Sequence, residues 1–400
     1  MIKHLGAFLK NPDSRTIGII FALCGLGFGT WASFIPFVKE KFNLDEAQLG
    51  LMLLCLPLGN FIANPLTVFF IRRWGPVRMA LGAGALSMIF FAMPVALPNI
   101  VFASFGLCLA GGAFGTTNVS MNTCASLLED KNKLRIMATC HGMWSVGAMA
   151  GALLSGVIMI PIKLVIGNWS SPQTAYVVGL SLIIVLVTIL IRNNLDQIKE
   201  AQMQSGDQAK IDWKVFRPNR ALWMLITICL CTYLTEGTMA DWSGVYLREV
   251  TLSSETIAGW GFGMYSFLMA TGRFLGDNLI ARFGSMRVLR AGGVLVLIGL
   301  IIVIMSNNPW VALPGFMLVG AGISLASPIL YGAAAKLTGL TPGVGLATLN
   351  TFAMASFLGG PVLIGFVAKF FDLRIAFMLV GITVVVWIIQ TTRVIRTERT

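Results

Sequence analysis

Runs of about 18 or more apolar residues, long enough to cross a bilayer at about 20 residues per span, recur along the whole chain. Twelve fit: 17–38, 47–71, 79–97, 99–128, 136–160, 174–191, 221–247, 256–281, 288–305, 310–337, 345–369 and 373–390. The pattern predicts an all-α membrane protein of twelve transmembrane helices, and an even number of spans puts both termini on one side. The longest polar interruption, RNNLDQIKEAQMQSGDQAKIDWKVFRPNR, divides the spans six and six. The expected organisation is therefore an N-terminal half over 1–191, a linker over 192–220 and a C-terminal half over 221–400.

The two halves repeat. At an offset of 208 to 209 residues, RRWGPVRMALGAG (72–84) lies over ARFGSMRVLRAGG (281–293), GTWAS (29–33) over GTMAD (237–241) and GALLSG (151–156) over GPVLIG (360–365). Each match is short, but three at one offset, each in the corresponding span, imply duplication and a parallel repeat of six-helix units.

Composition agrees: 56% of residues are hydrophobic, only 12% are charged and the mean hydropathy is +0.81. The net charge of +12 would suggest nucleic acid in a soluble protein, but here it sits in alternate loops. Lys3, Lys10 and Arg15, then Arg72, Arg73 and Arg78, then Lys131, Lys133 and Arg135, the cluster from Arg192 to Arg220, then Arg282, Arg287 and Arg290, Lys336, and Arg393, Arg396 and Arg399 fall on one side. Lys39, Lys41, Lys163, Arg248, Lys369 and Arg374 fall on the other. By the positive-inside rule the termini and the central loop are expected in the cytoplasm, in a multi-pass protein of the cytoplasmic (inner) membrane. The seven cysteines all lie inside apolar spans, which argues against a disulfide framework, and with two histidines, His4 and His141, no metal set is completed around Cys229 and Cys231. No cofactor is implied. The first span is too long and too rich in Trp and Phe for a signal-peptide core and is expected to stay uncleaved.

The loop GRFLGDNLIARFGSMR (272–287) resembles the motif between spans 8 and 9 of the major facilitator superfamily, with Gly276, Asp277, Arg282, Gly284 and Arg287 matching. The first-half copy NPLTVFFIRRWGPVR (64–78) keeps Arg73, Gly75 and Arg78 but has Val68 where Asp277 has its counterpart, so an Asp-mediated latch is not expected there. Six plus six spans and a basic central loop are similar to that family over the whole chain, and the Asn-rich fourth span is similar to its branch around the fucose permease. The expected carboxylates of fucose carriers in spans 1 and 4 are absent at mid-depth, so sugar specificity does not carry over. The resemblance implies alternating access around a cavity lined by spans 1, 4, 7 and 10, and that a monomer suffices.

Within those spans the polar residues are the candidates. A carboxylate near the middle of a bilayer costs about 2.5 to 3.5 kcal/mol on the gentlest scale, and LTEGTMADWSGVYLRE (234–249) places two in span 7. Glu236 falls near mid-depth; its charge would vary with water access as the cavity alternates, the behaviour of a proton carrier, against a plain interhelical contact. Asp241 lies nearer the far mouth, about 140° around a regular helix from Glu236, unless Gly237 and Gly244 unwind the segment. His141, which falls on Asn350 at the repeat offset, belongs to a residue type that titrates near neutrality. Arg273 and Asp277, four apart on one face, suggest a local ion pair, with Glu236 or an anionic substrate as rival partner for Arg273; the repeat counterpart of Arg273 is Asn64. Asn118, Asn122 and Ser126 form one stripe of span 4. Phe28, Trp31 and Phe34 in span 1, and Ser324, Ser327 and Tyr331 in span 10, offer rings and hydroxyls. Gly147, Gly151 and Ser155, with Gly359, Gly360 and Pro361, are small-residue stripes that bring helices close.

Together these predict a secondary active transporter of a small polar solute (sugar, polyol, nucleoside or amino acid), proton-coupled, with an exporter of amphipathic compounds as the alternative. Substrate contacts are expected from Trp31, Phe34, Asn118, Asn122, Glu236, Ser327, Tyr331 and Asn350, and proton coupling from Glu236, Asp241 and His141. No GxxxxGK[ST], HExxH or GxSxG motif points to ATP coupling or catalysis. The partners implied are the solute, protons and the lipid bilayer.

Overall fold

The computed structural model describes residues 8, 10–132, 136–166, 171–191, 220–335 and 344–397. Nine helices stand for the first nine spans: α1 (Pro12–Lys41), α2 (Glu46–Trp74), α3 (Pro76–Ala96), α4 (Ile100–Asn132), α5 (Met137–Ile166), α6 (Pro172–Ile191), α7 (Arg220–Glu249), α8 (Glu255–Phe283) and α9 (Ser285–Met305). The tenth span is two helices, α10 (Pro309–Ile323) and α11 (Ala326–Ala335), followed by α12 (Val344–Phe370) and α13 (Leu373–Thr397). Most of the expected linker, 192–219, lies outside the described residues, as does the side chain of Asp277.

Local chemistry sets the ends. Asn11 caps α1 by accepting from the Ser14 amide at 3.0 Å with Pro12 behind it. Asp45 and Gln48 form a reciprocal capping box on α2 at 2.8 and 3.0 Å. The duplication is visible in the backbone: Gly75 joins α2 to α3 at φ 83° and ψ 152°, and Gly284 joins α8 to α9 at φ 81° and ψ 149°. In each the glycine amide reaches back to a carbonyl at 2.8 Å, from Ile71 and Ile280 respectively. That positive φ is the reason for glycine at both positions.

The tenth span expected over 310–337 is present as Pro309–Ala334, with its helix broken at Ser324 and Leu325. Pro328 has no N–H, and its ring clashes with the carbonyl four residues earlier, that of Ser324. Span 7, by contrast, stays one helix through Gly237 and Gly244. Gly244 is used for close approach, since a Cβ there would lie 3.2 Å from Pro36 of α1.

Among the described residues, eleven segments are long and apolar enough to cross a membrane, Pro309–Ala334 counting as one across its break. The remaining span, α8, is 29 residues long but carries Gly259, Gly261, Gly263, Gly272 and Gly276 with several hydroxyls. It is an interior helix: a Cβ at Gly259 would come within 3.0 Å of Ser33 on α1, and one at Gly263 within 2.7 Å of Leu153 on α5. Small residues here buy backbone contact in place of apolar bulk.

The pairing of α1 with α5 shows the same device more tightly. Cβ atoms at Gly25 and Gly29 would sit 2.0 Å from the carbonyl oxygens of Trp144 and Ala148, and those at Gly147 and Gly151 would meet the carbonyls of Ala22 and Leu26 at 1.9 and 2.1 Å. Ser33 and Ser155 close the seam with a 2.7 Å hydrogen bond. In the expected stripe of span 11 nothing approaches Gly359, but Pro361 does bring the helices close: a Cβ at Gly50 of α2 would lie 2.5 Å from its carbonyl oxygen, and one at Gly365 would lie 2.5 Å from the Glu46 carbonyl.

Candidate functional site

The two halves are pinned together at the face opposite the termini. Lys39 of α1 bonds Glu249 of α7 and, at 2.9 Å, Glu46 of its own half. Glu40 pairs with Arg248 at 2.6 Å and Asp45 with Lys369 at 3.0 Å. Gln173 donates to Glu255 at 2.7 Å, again across the halves. The Asp45 carboxyl is held below the usual carboxylate range, first by the Gln48 amide and then by Lys369. At the terminal face, Arg73, Arg78, Arg282 and Arg287 of the two loop motifs are all exposed, and Asn350 near the start of α12 is exposed as well. The bundle is sealed at its far face.

Between these ends lies a mid-depth polar group centred on span 7. Glu236 is residue seventeen of the thirty in α7. Its Oε1 stands 3.9 Å from Nη2 of Arg273, with the side chains 20% and 13% exposed. The other guanidinium nitrogen, Nη1, crosses to the N-terminal half, donating to Ser145 Oγ at 2.6 Å and to the His141 carbonyl at 3.4 Å. Arg273 thus faces Glu236 and ties α7, α8 and α5 together, while the Arg273–Asp277 pair expected from the spacing falls on a side chain outside the described residues.

A second set runs toward the terminal face. The Tyr233 hydroxyl, one turn before Glu236, donates to the Tyr331 hydroxyl at 3.3 Å, which donates to Asn350 Oδ1 at 3.2 Å. Ser327 lies beside the Tyr233 hydroxyl, and Phe357 meets the Tyr233 ring edge-on at 5.3 Å. Of the sequence candidates, Ser327, Tyr331 and Asn350 thus meet around Tyr233, one turn from Glu236.

Others are placed elsewhere. Trp31 and Phe34 are buried inside the N-terminal half, Trp31 stacked on Phe91 at 6.1 Å and Phe34 tilted against Tyr176 at 5.8 Å. They pack span 1 against spans 3 and 6, because the glycine face of α1 turns toward α5 and leaves these rings on the other side. Asn118 and Asn122 bond to each other, Nδ2 to Oδ1 at 2.6 Å, and make no hydrogen bond to the C-terminal half among the described residues. The His141 ring sits edge-on to Phe21 at 5.4 Å; only its carbonyl reaches Arg273. Asp241 is partly buried and has no hydrogen bond or ion pair among the described residues.

Two residues at the site, Ser145 and Tyr233, carried no sequence signal: they join through contacts that depend on how their helices are rotated. Phe28 is the hub of an aromatic cluster across the halves, 5.3 Å from Phe114, 5.8 Å from Trp144 and 5.7 Å from Phe262 of α8.

The arrangement is a two-half bundle with a charged pair at its centre and one sealed end, and it is matched in known proteins. The model of the Major Facilitator Superfamily matches residues 17–253 and 246–400. The chain belongs to that superfamily. An MFS-type transporter of Yersinia pestis is 32% identical over 361 residues, covering 90% of each chain. Among solved structures, the nucleoside transporter NupG superposes with a TM-score of 0.68 at 11% identity, over 95% of this chain and 98% of its own. The E. coli fucose:proton symporter FucP gives 0.57 at 17% identity, over 93% and 97%. These structures share the fold of this superfamily member, a multi-pass membrane transporter.

Proposed function

We propose that this transporter is a secondary active carrier of a small polar solute, coupled to protons through Glu236. The observation that carries the reading is the Glu236 carboxylate: at mid-depth, 3.9 Å from a cation and without a hydrogen-bond donor among the described residues. A charge so placed is costly unless it is used, and moving one charge through 100 mV is worth about 2.3 kcal/mol. The two halves rock about the central group, breaking and remaking the far-face ion pairs, with Glu236 loaded on one side and discharged on the other. The basic loops favour a cytoplasmic terminal face by the positive-inside rule, and the inter-half ion pairs then lie on the outer side. FucP, a fucose:proton symporter of the same fold, is in keeping with this coupling.

The test is transport by the purified protein in liposomes. Glu236→Gln is expected to retain solute exchange and to lose accumulation driven by a pH gradient. Accumulation at the native level would remove Glu236 from the coupling.

A further inference from the structure

The two far-face corners are copies of each other. FVKEKFNLDEAQLG (37–50) lies over YLREVTLSSETIAG (246–259), which places Lys39 on Arg248, Glu40 on Glu249 and Glu46 on Glu255. The backbone repeats with the sequence: Asn43 and Leu252 take φ of 50° and 53° in the two turns, and Asp45 and Ser254 each cap the helix that follows. The ion pairs obey the same relation, since the cation of each corner takes the acid next to the other corner's cation, Lys39 with Glu249 and Arg248 with Glu40. Each cation also faces the acid that opens the next helix of its own half. Lys39 bonds Glu46 at 2.9 Å; Glu255 is close enough for its charge to act on Arg248, which also donates to the Ser253 carbonyl at 2.9 Å. The Lys39–Glu46 pair does not need the other half, because its corner is held from within: the Leu44 amide reaches the Lys39 carbonyl at 3.0 Å, and Asp45 and Gln48 fix the start of α2.

We propose that Glu46 and Glu255 are positioning residues of the transport cycle, the partners that keep Lys39 and Arg248 paired when the far face opens. The inference rests on the rocking of the halves described above, and on neither Glu236 nor the coupled ion. Opening parts each cation from an acid of the other half. The Lys39 side chain is only 10% exposed, and an ammonium left there alone is strongly disfavoured. Of the two acids it bonds, only Glu46 moves with it. The acids left behind, Glu249 and Glu40, have side chains 34% and 54% exposed and pass to water. The two carboxylates on Lys39 therefore act in opposite directions. Glu249 is a partner in the closed face alone and favours closure; Glu46 is one of two partners there and the single partner after opening, so it favours the open face.

The experiment follows the full chain in right-side-out membrane vesicles, through the alkylation rate of a cysteine placed at Phe37 with a reagent that cannot cross the membrane. Glu46→Gln removes an ion pair from the closed face, yet it is expected to slow alkylation about twofold to fivefold, the range of one partly exposed pair; Glu249→Gln is expected to quicken it. The slowing by Glu46→Gln should shrink when Lys39→Met is already present, whereas plain repulsion between Glu46 and Glu249 would make it larger there. A rate at or above the native one in Glu46→Gln shows that Glu46 only helps to shut the face and overturns the exchange, as does a slowing that persists or grows with Lys39→Met. Glu255→Gln, which keeps an acceptor for Gln173, puts the same question to the other half and decides it should Glu46→Gln not fold: slower alkylation than native upholds the exchange, an equal or faster rate overturns it. A native protein that is never alkylated at this position overturns the rocking and the exchange together.

Discussion

Two carboxylates share α7 and have opposite surroundings. Glu236 faces an arginine across 3.9 Å, whereas Asp241, five residues on, has no ionic or hydrogen-bond partner among the described residues. An unpaired acid at that depth works against the folded state, so Asp241→Asn is expected to raise the melting temperature, a gain of about 1 to 3 kcal/mol; a fall would reveal a partner in the folded protein. The same contrast shows what a sequence can and cannot give at this scale. Glu236 was legible because a charge in an apolar run is rare. Its proximity to Arg273 was not, because nothing in the spacing of residues 236 and 273 fixes the rotation of α7 against α8. Trp31 and Phe34 show the converse: aromatic residues in a cavity-lining span, turned away from the cavity by the glycine face beside them.

Helices are where the sequence was most informative and also where it was incomplete. The repeat of Gly75 and Gly284 at one offset became two junctions with nearly identical dihedrals. Gly284→Ala meets no atom within 4 Å, yet is expected to cost on the order of 1 kcal/mol through its positive φ alone, measured as a lower denaturation midpoint. Gly25→Ala acts through space instead: its Cβ would stand 2.0 Å from the Trp144 carbonyl oxygen, a backbone atom that cannot rotate away. A loss of at least about 1 to 3 kcal/mol is expected, with Gly179→Ala, which meets nothing, as the unaffected control. Equal melting of Gly25→Ala and the native protein would show that α1 and α5 are not held at this separation. The break in span 10 was also within reach, since Pro328 stands four residues after the carbonyl it displaces; an unbroken hydrophobic run hid it. In α8 the apolar signal was weak because its surface faces other helices.

For the molecule as a whole, the three inter-half ion pairs hold the two halves together at the far face. They are partly exposed, and such pairs individually contribute about 0 to 1 kcal/mol, so together they bias the two orientations without locking them. Exchanging Glu40→Arg with Arg248→Glu should preserve the closure, and Glu40→Arg alone should loosen it by a few-fold in opening equilibrium. The readout is the alkylation rate of a cysteine placed at Phe37, using a reagent that cannot cross the membrane. An equal rate in the single and double variants would show that this pair does not hold the face shut. Asp45, whose carboxyl is depressed by Gln48 and Lys369, adds to the closure while ionised. Its share is present through neutral pH and is lost only as the medium falls below the ordinary carboxylate range, so the same alkylation rate should rise only on strong acidification.

The sealed far face also decides who can interfere with this protein. With the terminal face in the cytoplasm, as proposed above, a competitor confined to the medium around the cell meets the ion-paired ends of α1, α2, α7 and α12. The same compound delivered to the interior meets the exposed Asn350 and the hydroxyl chain that begins there. Inhibition of the resting carrier is therefore one-sided, and a toxin or drug aimed at it must either arrive from within or wait for the turnover that brings the pocket round.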